Sequence, residues 1–227
     1  MKLHSLRHVM SRLPWARRLF VTARFGGLGR VEPLTPWGVQ RGLPVDRWYI
    51  EAFLEAHAGA VTGHALEVKE DAYASRLGAV AVDVVDIDAD NDQATLVGDL
   101  CAADTLEQSR YDIAIVTQTL QLVDDPEAAL RNLIGSLKAG GSLLVTVPCL
   151  SRLANSSDKW RWTPVGFTYL AQAVAPPGAH IEVRGFGNSL AARAFLFGLA
   201  ADDLTTAVLE AHDAEVPMVV GALIKLP

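Results

Sequence analysis

The chain has only two cysteines in 227 residues, Cys101 and Cys149, far apart and outside any Cys-x-x-Cys or zinc-like histidine spacing. This scarcity excludes a disulfide scaffold and points to a reducing compartment. There is no run of about 18 apolar residues, the length a membrane helix needs. No charged, apolar and small-residue regions follow one another in the order of a secretory leader. The expected location is therefore cytoplasmic, without a transmembrane segment. Positive charge is in deficit, with 20 Lys and Arg against 26 Asp and Glu and a formal charge of -6. That balance excludes a general nucleic-acid binder, which neutralises phosphates with excess cations. The acids between 83 and 92 lack the glycine and terminal Glu of a calcium loop, and no metal site is expected.

Half of the residues are hydrophobic and a fifth are charged, as in globular proteins. The length allows one large α/β domain with an appendage. The appendage comes first. Lys2, Arg7, Arg12, Arg17, Arg18, Arg24 and Arg30 stand in residues 1–30 without a single acid. Such a basic arm attracts an anionic substrate, a phosphorylated glycan carrier or an anionic membrane surface; a frayed, solvated terminus is the alternative. Pro33, Pro36, Gly38, Gly42 and Pro44 then punctuate a linker, so the expected division is an arm with linker over 1–45 and a folded domain over 46–227. Asp46 can cap a helix carrying Trp48, Tyr49, Phe53, Leu54 and His57 at helical spacing. Arg47 and Tyr49, in its first turn, reach over the mouth of the following sheet, or else the aromatics pack while Arg47 is solvated.

From residue 64 onward, apolar runs of strand length alternate with helical segments, the pattern of a parallel sheet. Strands are expected at 64–68, 80–87, 94–97, 111–117, 142–147, 180–185 and 216–224, with a helix of about three turns after Asp71. Ligands bind such sheets at the carboxyl ends of the strands. The polar residues there are Glu67 to Tyr73, Asp86, Asp88 and Asp99. Asp88 lies 21 positions after Glu67, the separation at which an acid accepts both hydroxyls of a ribose laid over the first turn; Asp86 is the fallback. Asp99 can accept from the exocyclic amine of adenine while Leu100 covers the ring, or it can cap the next segment. Gly185-Phe186-Gly187-Asn188-Ser189-Leu190 imitates a dinucleotide fingerprint, but Leu190 stands where Gly or Ala is required.

In this order, Leu66-Glu67-Val68, Asp88, Gly98-Asp99-Leu100, the stretch 120–126 and Lys138-Ala139-Gly140-Gly141-Ser142-Leu143 resemble the class I S-adenosylmethionine-dependent methyltransferases over residues 60–150. The last of these is similar to the family's Lys-Pro-Gly-Gly turn. The stretch from Arg41-Gly42-Leu43-Pro44 to Ile50 is similar to a lead-in of bacterial methyltransferase-domain proteins associated with glycan or natural-product biosynthesis. The resemblance implies an α/β fold with a Rossmann-like seven-stranded sheet. That sheet is mostly parallel with an antiparallel last strand, has helices on both faces, and carries an N-terminal helical extension over the cofactor site.

One departure stands out. The family's Glu/Asp-x-Gly-x-Gly-x-Gly motif is replaced by Glu67-Val68-Lys69-Glu70-Asp71-Ala72-Tyr73, without glycine. Lys69 can then pair with the methionine carboxylate and Tyr73 can pack on the cofactor. The implied S-adenosylmethionine site comprises Arg47, Tyr49, Glu67, Lys69, Tyr73, Asp88, Gly98, Asp99, Leu100, Thr117, Gln118 and Thr119. A lid over 150–164 would exclude water from methyl transfer. Its Trp160, Arg161 and Trp162, with Gln121, are the expected contacts of a sugar or other small acceptor, and Asp158 and His180 are the candidate bases. The implied activity is O-methylation of a sugar or natural product, leaving S-adenosylhomocysteine. Two alternatives remain: a non-catalytic partner protein, and a cofactor-binding enzyme of a non-methyl reaction such as cyclisation. The oligomeric state is left open.

Overall fold

A computed structural model describes residues 32–227; the basic arm expected over 1–30 lies outside them. Seven strands form one sheet: β1 His64–Val68, β2 Ala81–Asp86, β3 Leu96–Val97, β4 Tyr111–Thr117, β5 Leu137–Pro148, β6 His180–Phe186 and β7 Val219–Lys225. Their spatial order is β3-β2-β1-β4-β5-β7-β6. β7 runs antiparallel to both neighbours, and all other pairs are parallel. The helices are α1 Val45–Ala56, α2 Ala74–Leu77, α3 Pro126–Gly135, α4 Pro164–Val174, α5 Ser189–Phe197 and α6 Thr206–Glu210. Among the described residues no helix is long and apolar enough to cross a membrane.

Local chemistry explains the boundaries. Asp125 caps α3 by accepting from the Glu127 and Ala128 N–H groups, with Pro126 at the first helical position. Thr163 with Pro164 opens α4 in the same way. Asn188 accepts from the Leu190 and Ala191 N–H groups to open α5, which is the role the glycine-flanked imitation motif plays. Three expectations change. The three-turn helix after Asp71 is one turn, because residues 72–74 give their N–H groups to Glu67 instead. Asp46 does not cap α1: Pro44 holds the cap position and Asp46 sits inside the first turn. The stretch expected as a turn at 138–141 opens β5 as an irregularity in its pairing with β4, with Gly140 at φ 73°.

Strand residues alternate between two apolar layers. Leu66, Ala114, Val116, Leu143 and Val145 pack with Leu130 and Leu133 of α3 and Phe167 of α4. Ala65, Ile113, Ile115 and Leu144 pack on the other face with Tyr49, Ile50, Phe53 and Leu54 of α1 and Phe195 of α5. α1 comes so close to the sheet that a Cβ on Gly221 of β7 would lie 2.7 Å from Phe53 Cδ2 and 3.0 Å from Phe186 Cε2. Gly221→Ala is therefore expected to overpack this contact and cost about 1–3 kcal/mol. Urea unfolding would check it, and an unchanged midpoint would refute the close fit.

Candidate functional site

At the carboxyl ends of β1, β2 and β4 lies a cleft of about 580 Å³. Its walls are the loop after β1, Val85–Asp88, Gly98 to Leu100, Thr117 to Thr119 and residues 122–124, with Arg47 of α1 and Ser157 and Lys159 of the lid. A parallel sheet aims its loops outward at this edge, so sequence-distant polar groups converge here.

The loop after β1 is built on Glu67. Its side chain is 3% exposed. The carboxylate accepts from the N–H groups of Ala72 (3.2 Å), Tyr73 (3.1 Å) and Ala74 (2.8 Å). Burial outweighs these donors and pushes its pKa up to about 6. Lys69 follows in the left-handed region at φ 75°, a conformation that favours glycine. Two hydrogen bonds hold it there: its N–H donates to the Val85 carbonyl at 2.8 Å, and its carbonyl accepts from Asn91 Nδ2 at 2.6 Å. The Lys69 side chain lines the cleft and makes no ion pair among the described residues.

Asp86 and Asp88 both line the cleft but differ in occupation. Asp86 accepts from the Asp88 N–H at 3.1 Å and from Asn91 Nδ2 at 2.7 Å. Asp88 is exposed, and among the described residues only its Oδ1 is engaged, by the Asp90 N–H at 3.0 Å. Asp99 accepts from the Cys101 N–H at 2.9 Å and also lines the cleft, so local capping does not remove it from the cleft wall. Leu100 is buried beside it.

A second hollow, of about 270 Å³, adjoins the cleft. Arg47, Gln118 and Leu122 line both. Gln118 stands at φ 47°, and its buried Nε2 has no hydrogen-bond partner. Gln121 is 6% exposed; its Nε2 donates to the Gln118 carbonyl at 2.7 Å, while its buried Oε1 has no partner. Among the described residues a donor and an acceptor thus stand unpaired at this junction, which is costly unless a ligand meets them. The segment 150–164 is tied to this side: the Lys159 and Trp160 N–H groups donate to the Gln121 carbonyl at 2.8 and 3.3 Å, and Lys159 Nζ pairs with Asp124 at 2.6 Å.

Several expected site residues lie elsewhere. Tyr49 is buried on the far side of α1, in a separate hollow with Phe53, His57 and Phe186, where burial pushes its pKa up to about 12. Tyr73 is buried in the α1 layer and lines neither hollow; its hydroxyl accepts from Arg47 Nη1 at 2.6 Å. Trp160 and Trp162 stack outside the hollow, centroids 6.5 Å apart, with Trp162 edge-on to Phe167 and Trp160 Nε1 donating to the Val123 carbonyl. Asp158 does line the hollow, but Arg161 grips both its oxygens and holds its carboxyl below the usual range, so it is no base. His180 begins β6, level through Lys225 with Ser142 of β5, at the opposite edge of the sheet from the cleft.

The hollow also gathers residues not expected there. Trp37, at φ 54°, carries Arg152 over its ring at 5.1 Å. Asp46 lines it with no ion-pair partner among the described residues, and burial pushes its pKa above the ordinary carboxylate value. A cluster of cations in the lid, Arg152, Lys159 and Arg161, was the available signal for a charged pocket. Nothing in the local pattern marks Trp37.

The chain matches the family described as Methyltransferase domain over residues 50–195. No curated protein matches it. Among solved structures, the chain is similar to an S-adenosylmethionine dependent methyltransferase from Mesorhizobium loti, at 16% identity over 80% of this chain and 97% of that one (TM-score 0.53). It is also similar to DhpI, solved as a complex with SAH, at 18% identity over 83% and 89% (TM-score 0.52). The [4+2]-cyclase SpnF matches at 15% identity over 93% and 94% (TM-score 0.52). At these identities the likeness is one of fold.

The buried Glu67 generates a pH signature. Its proton is held to about 6 in the folded chain against 4.5 ordinarily, so the folded state binds more protons between those values. Its contribution to stability is therefore largest below 4.5 and falls as pH rises to 6, by about 2 kcal/mol. Urea unfolding across this window should show that decline in the native chain relative to Glu67→Gln; parallel curves would contradict it.

Proposed function

The chain belongs to the methyltransferase-domain family, and we propose that it transfers a methyl group from S-adenosylmethionine to a hydroxyl of a sugar or natural-product small molecule, releasing S-adenosylhomocysteine. The observation that carries this reading is the junction of the two hollows at Gln118 and Arg47. Group transfer needs two ligands brought together in line, with water excluded.

The residues of the cleft fit the cofactor. Its volume of about 580 Å³ falls within the ~300–1,000 Å³ of small-molecule sites. The unpaired Lys69 ammonium suits the amino-acid carboxylate, Asp88 the ribose hydroxyls, and Asp99 with Leu100 the adenine. When bound, the cofactor supplies an electrophilic methyl on a sulfonium. The protein's part is to hold the acceptor and take its proton. Gln118 Nε2 and Gln121 Oε1 can donate to and accept from an acceptor hydroxyl. Asp46, desolvated and without an ion-pair partner, is the proposed base that receives the hydroxyl proton. The lid hydrogen bonds on Gln121 keep water out.

One observation favours a second reading, cofactor binding without methyl transfer. Asp158 is locked to Arg161, and no histidine lines either hollow. Cofactor binding without formation of S-adenosylhomocysteine from any hydroxyl acceptor would favour that reading.

Calorimetric titration with S-adenosylmethionine and S-adenosylhomocysteine, with NADH as control, tests the assignment; micromolar binding, about -8 kcal/mol, is expected. Absence of binding would overturn it. In the same titration Lys69→Ala should lose about 1–3 kcal/mol, whereas unchanged affinity would remove Lys69 from the site. Asp46→Asn should lower kcat by about 10²–10⁴ with cofactor affinity unchanged. In the native enzyme the rate should fall as pH drops through the raised Asp46 pKa, so the acidic limb lies above the ordinary aspartate range. A pH profile unaltered in Asp46→Asn would exclude this base.

A further inference from the structure

The second hollow carries more cationic charge than its own carboxylates neutralise. Three arginines and two aspartates line it: Arg47, Arg152, Arg161, Asp46 and Asp158. Asp158 and Arg161 cancel each other in a bidentate pair. Arg47 spends one nitrogen on the Tyr73 hydroxyl, and Arg152 has no carboxylate partner among the described residues. Asp46 accepts the Arg47 N–H at 2.8 Å and is attracted by the Arg47 guanidinium, so Arg47 and Arg152 together still carry one charge more than this single aspartate.

The placement of Arg152 is built rather than incidental. Its guanidinium lies over the Trp37 ring at 5.1 Å, and the Trp37 indole N–H reaches Ser151 Oγ at 3.4 Å. A stacked guanidinium keeps its planar fork free for a forked oxyanion and loses little freedom on binding one. The unpartnered Gln121 Oε1 and Gln118 Nε2 add one place for a hydroxyl donor and one for an oxygen acceptor. The volume of about 270 Å³ lies below the ~300–1,000 Å³ of drug-sized sites and suits a monosaccharide-sized molecule. Trp37, Asp46 and Arg47 precede residue 50, where the family match begins, so this wall belongs to the chain's own N-terminal segment.

We propose that the hollow selects a monosaccharide-sized hydroxy compound bearing an oxyanion, a carboxylate or a phosphate monoester, which Arg152 and Arg47 bind while the hydroxyl lies at Gln118 and Gln121. This rests on the methyl-transfer reading, because it identifies the hollow as the acceptor site. A neutral sugar would leave both guanidiniums unmatched, which disfavours it as the preferred ligand.

The test is calorimetric titration of the full chain with glucuronate, glucose 6-phosphate and glucose, each with and without saturating S-adenosylhomocysteine. At least one anionic ligand should bind roughly tenfold or more tightly than glucose. Tighter glucuronate assigns the carboxylate, and tighter glucose 6-phosphate the phosphate. Arg152→Ala should lose roughly tenfold or more toward that ligand, with S-adenosylhomocysteine affinity retained as the measure of an intact fold. Equal affinity for glucose, no binding of any of the three at millimolar concentration, or unchanged affinity in Arg152→Ala overturns the proposal. Failure of S-adenosylhomocysteine alone to bind overturns the methyl-transfer reading instead, while the anion preference is still read without it.

Discussion

The buried carboxylate of Glu67 is the interaction on which the site depends. By accepting the N–H groups of Ala72, Tyr73 and Ala74, it folds the loop after β1 into a fixed turn without any glycine. Three consequences follow from that turn. Lys69 is held in a glycine-like backbone conformation with its ammonium at the cleft. α2 shrinks to one turn. Tyr73 is drawn into the apolar layer, from which its hydroxyl orients Arg47. A loop that would have turned on glycines is thus replaced by one that turns on Glu67 and lines the cleft with Lys69. The desolvation of Glu67 is the cost of that arrangement.

α1 links this loop to the rest of the site. Its inner face is seated on β7 through Phe53 and Gly221, and that seating places Asp46 and Arg47 at the mouth of the sheet. Backbone strain collects at the same mouth: Trp37, Lys69 and Gln118 all stand at positive φ. Such conformations persist where the surroundings over-determine them. Here each lines one of the two hollows, and Gln118 lines both.

The two aspartates of the second hollow illustrate how environment divides like residues. Asp158 lies beside a guanidinium that stabilises its charge, so its carboxyl is held low and spent on closing the lid. Asp46 is half-buried, and its desolvation outweighs the attraction of the neighbouring Arg47, so its carboxyl is held above the ordinary carboxylate value.

The strands were legible in the sequence. β1 and β4 coincide with the apolar runs expected at 64–68 and 111–117, because strands buried on both faces carry unbroken hydrophobic stretches. α3 and α4 open on short polar caps, Asp125 and Thr163, each acting over two or three residues. The acids at the strand ends followed from sheet polarity alone, and Asp88, Asp99 and Lys69 all line the cleft. Periodicity and local hydrogen bonding therefore made the fold, and the edge of the sheet where the cleft lies, readable from the residues alone. Packing between distant elements set which face Tyr49, Trp160 and Trp162 occupy, that Arg161 grips Asp158, and that His180 lies at the far edge. It alone brought Trp37 and Asp46 beside Arg152. These outcomes depend on helix rotation, strand direction and pairings across more than a hundred residues, and no local pattern encodes them.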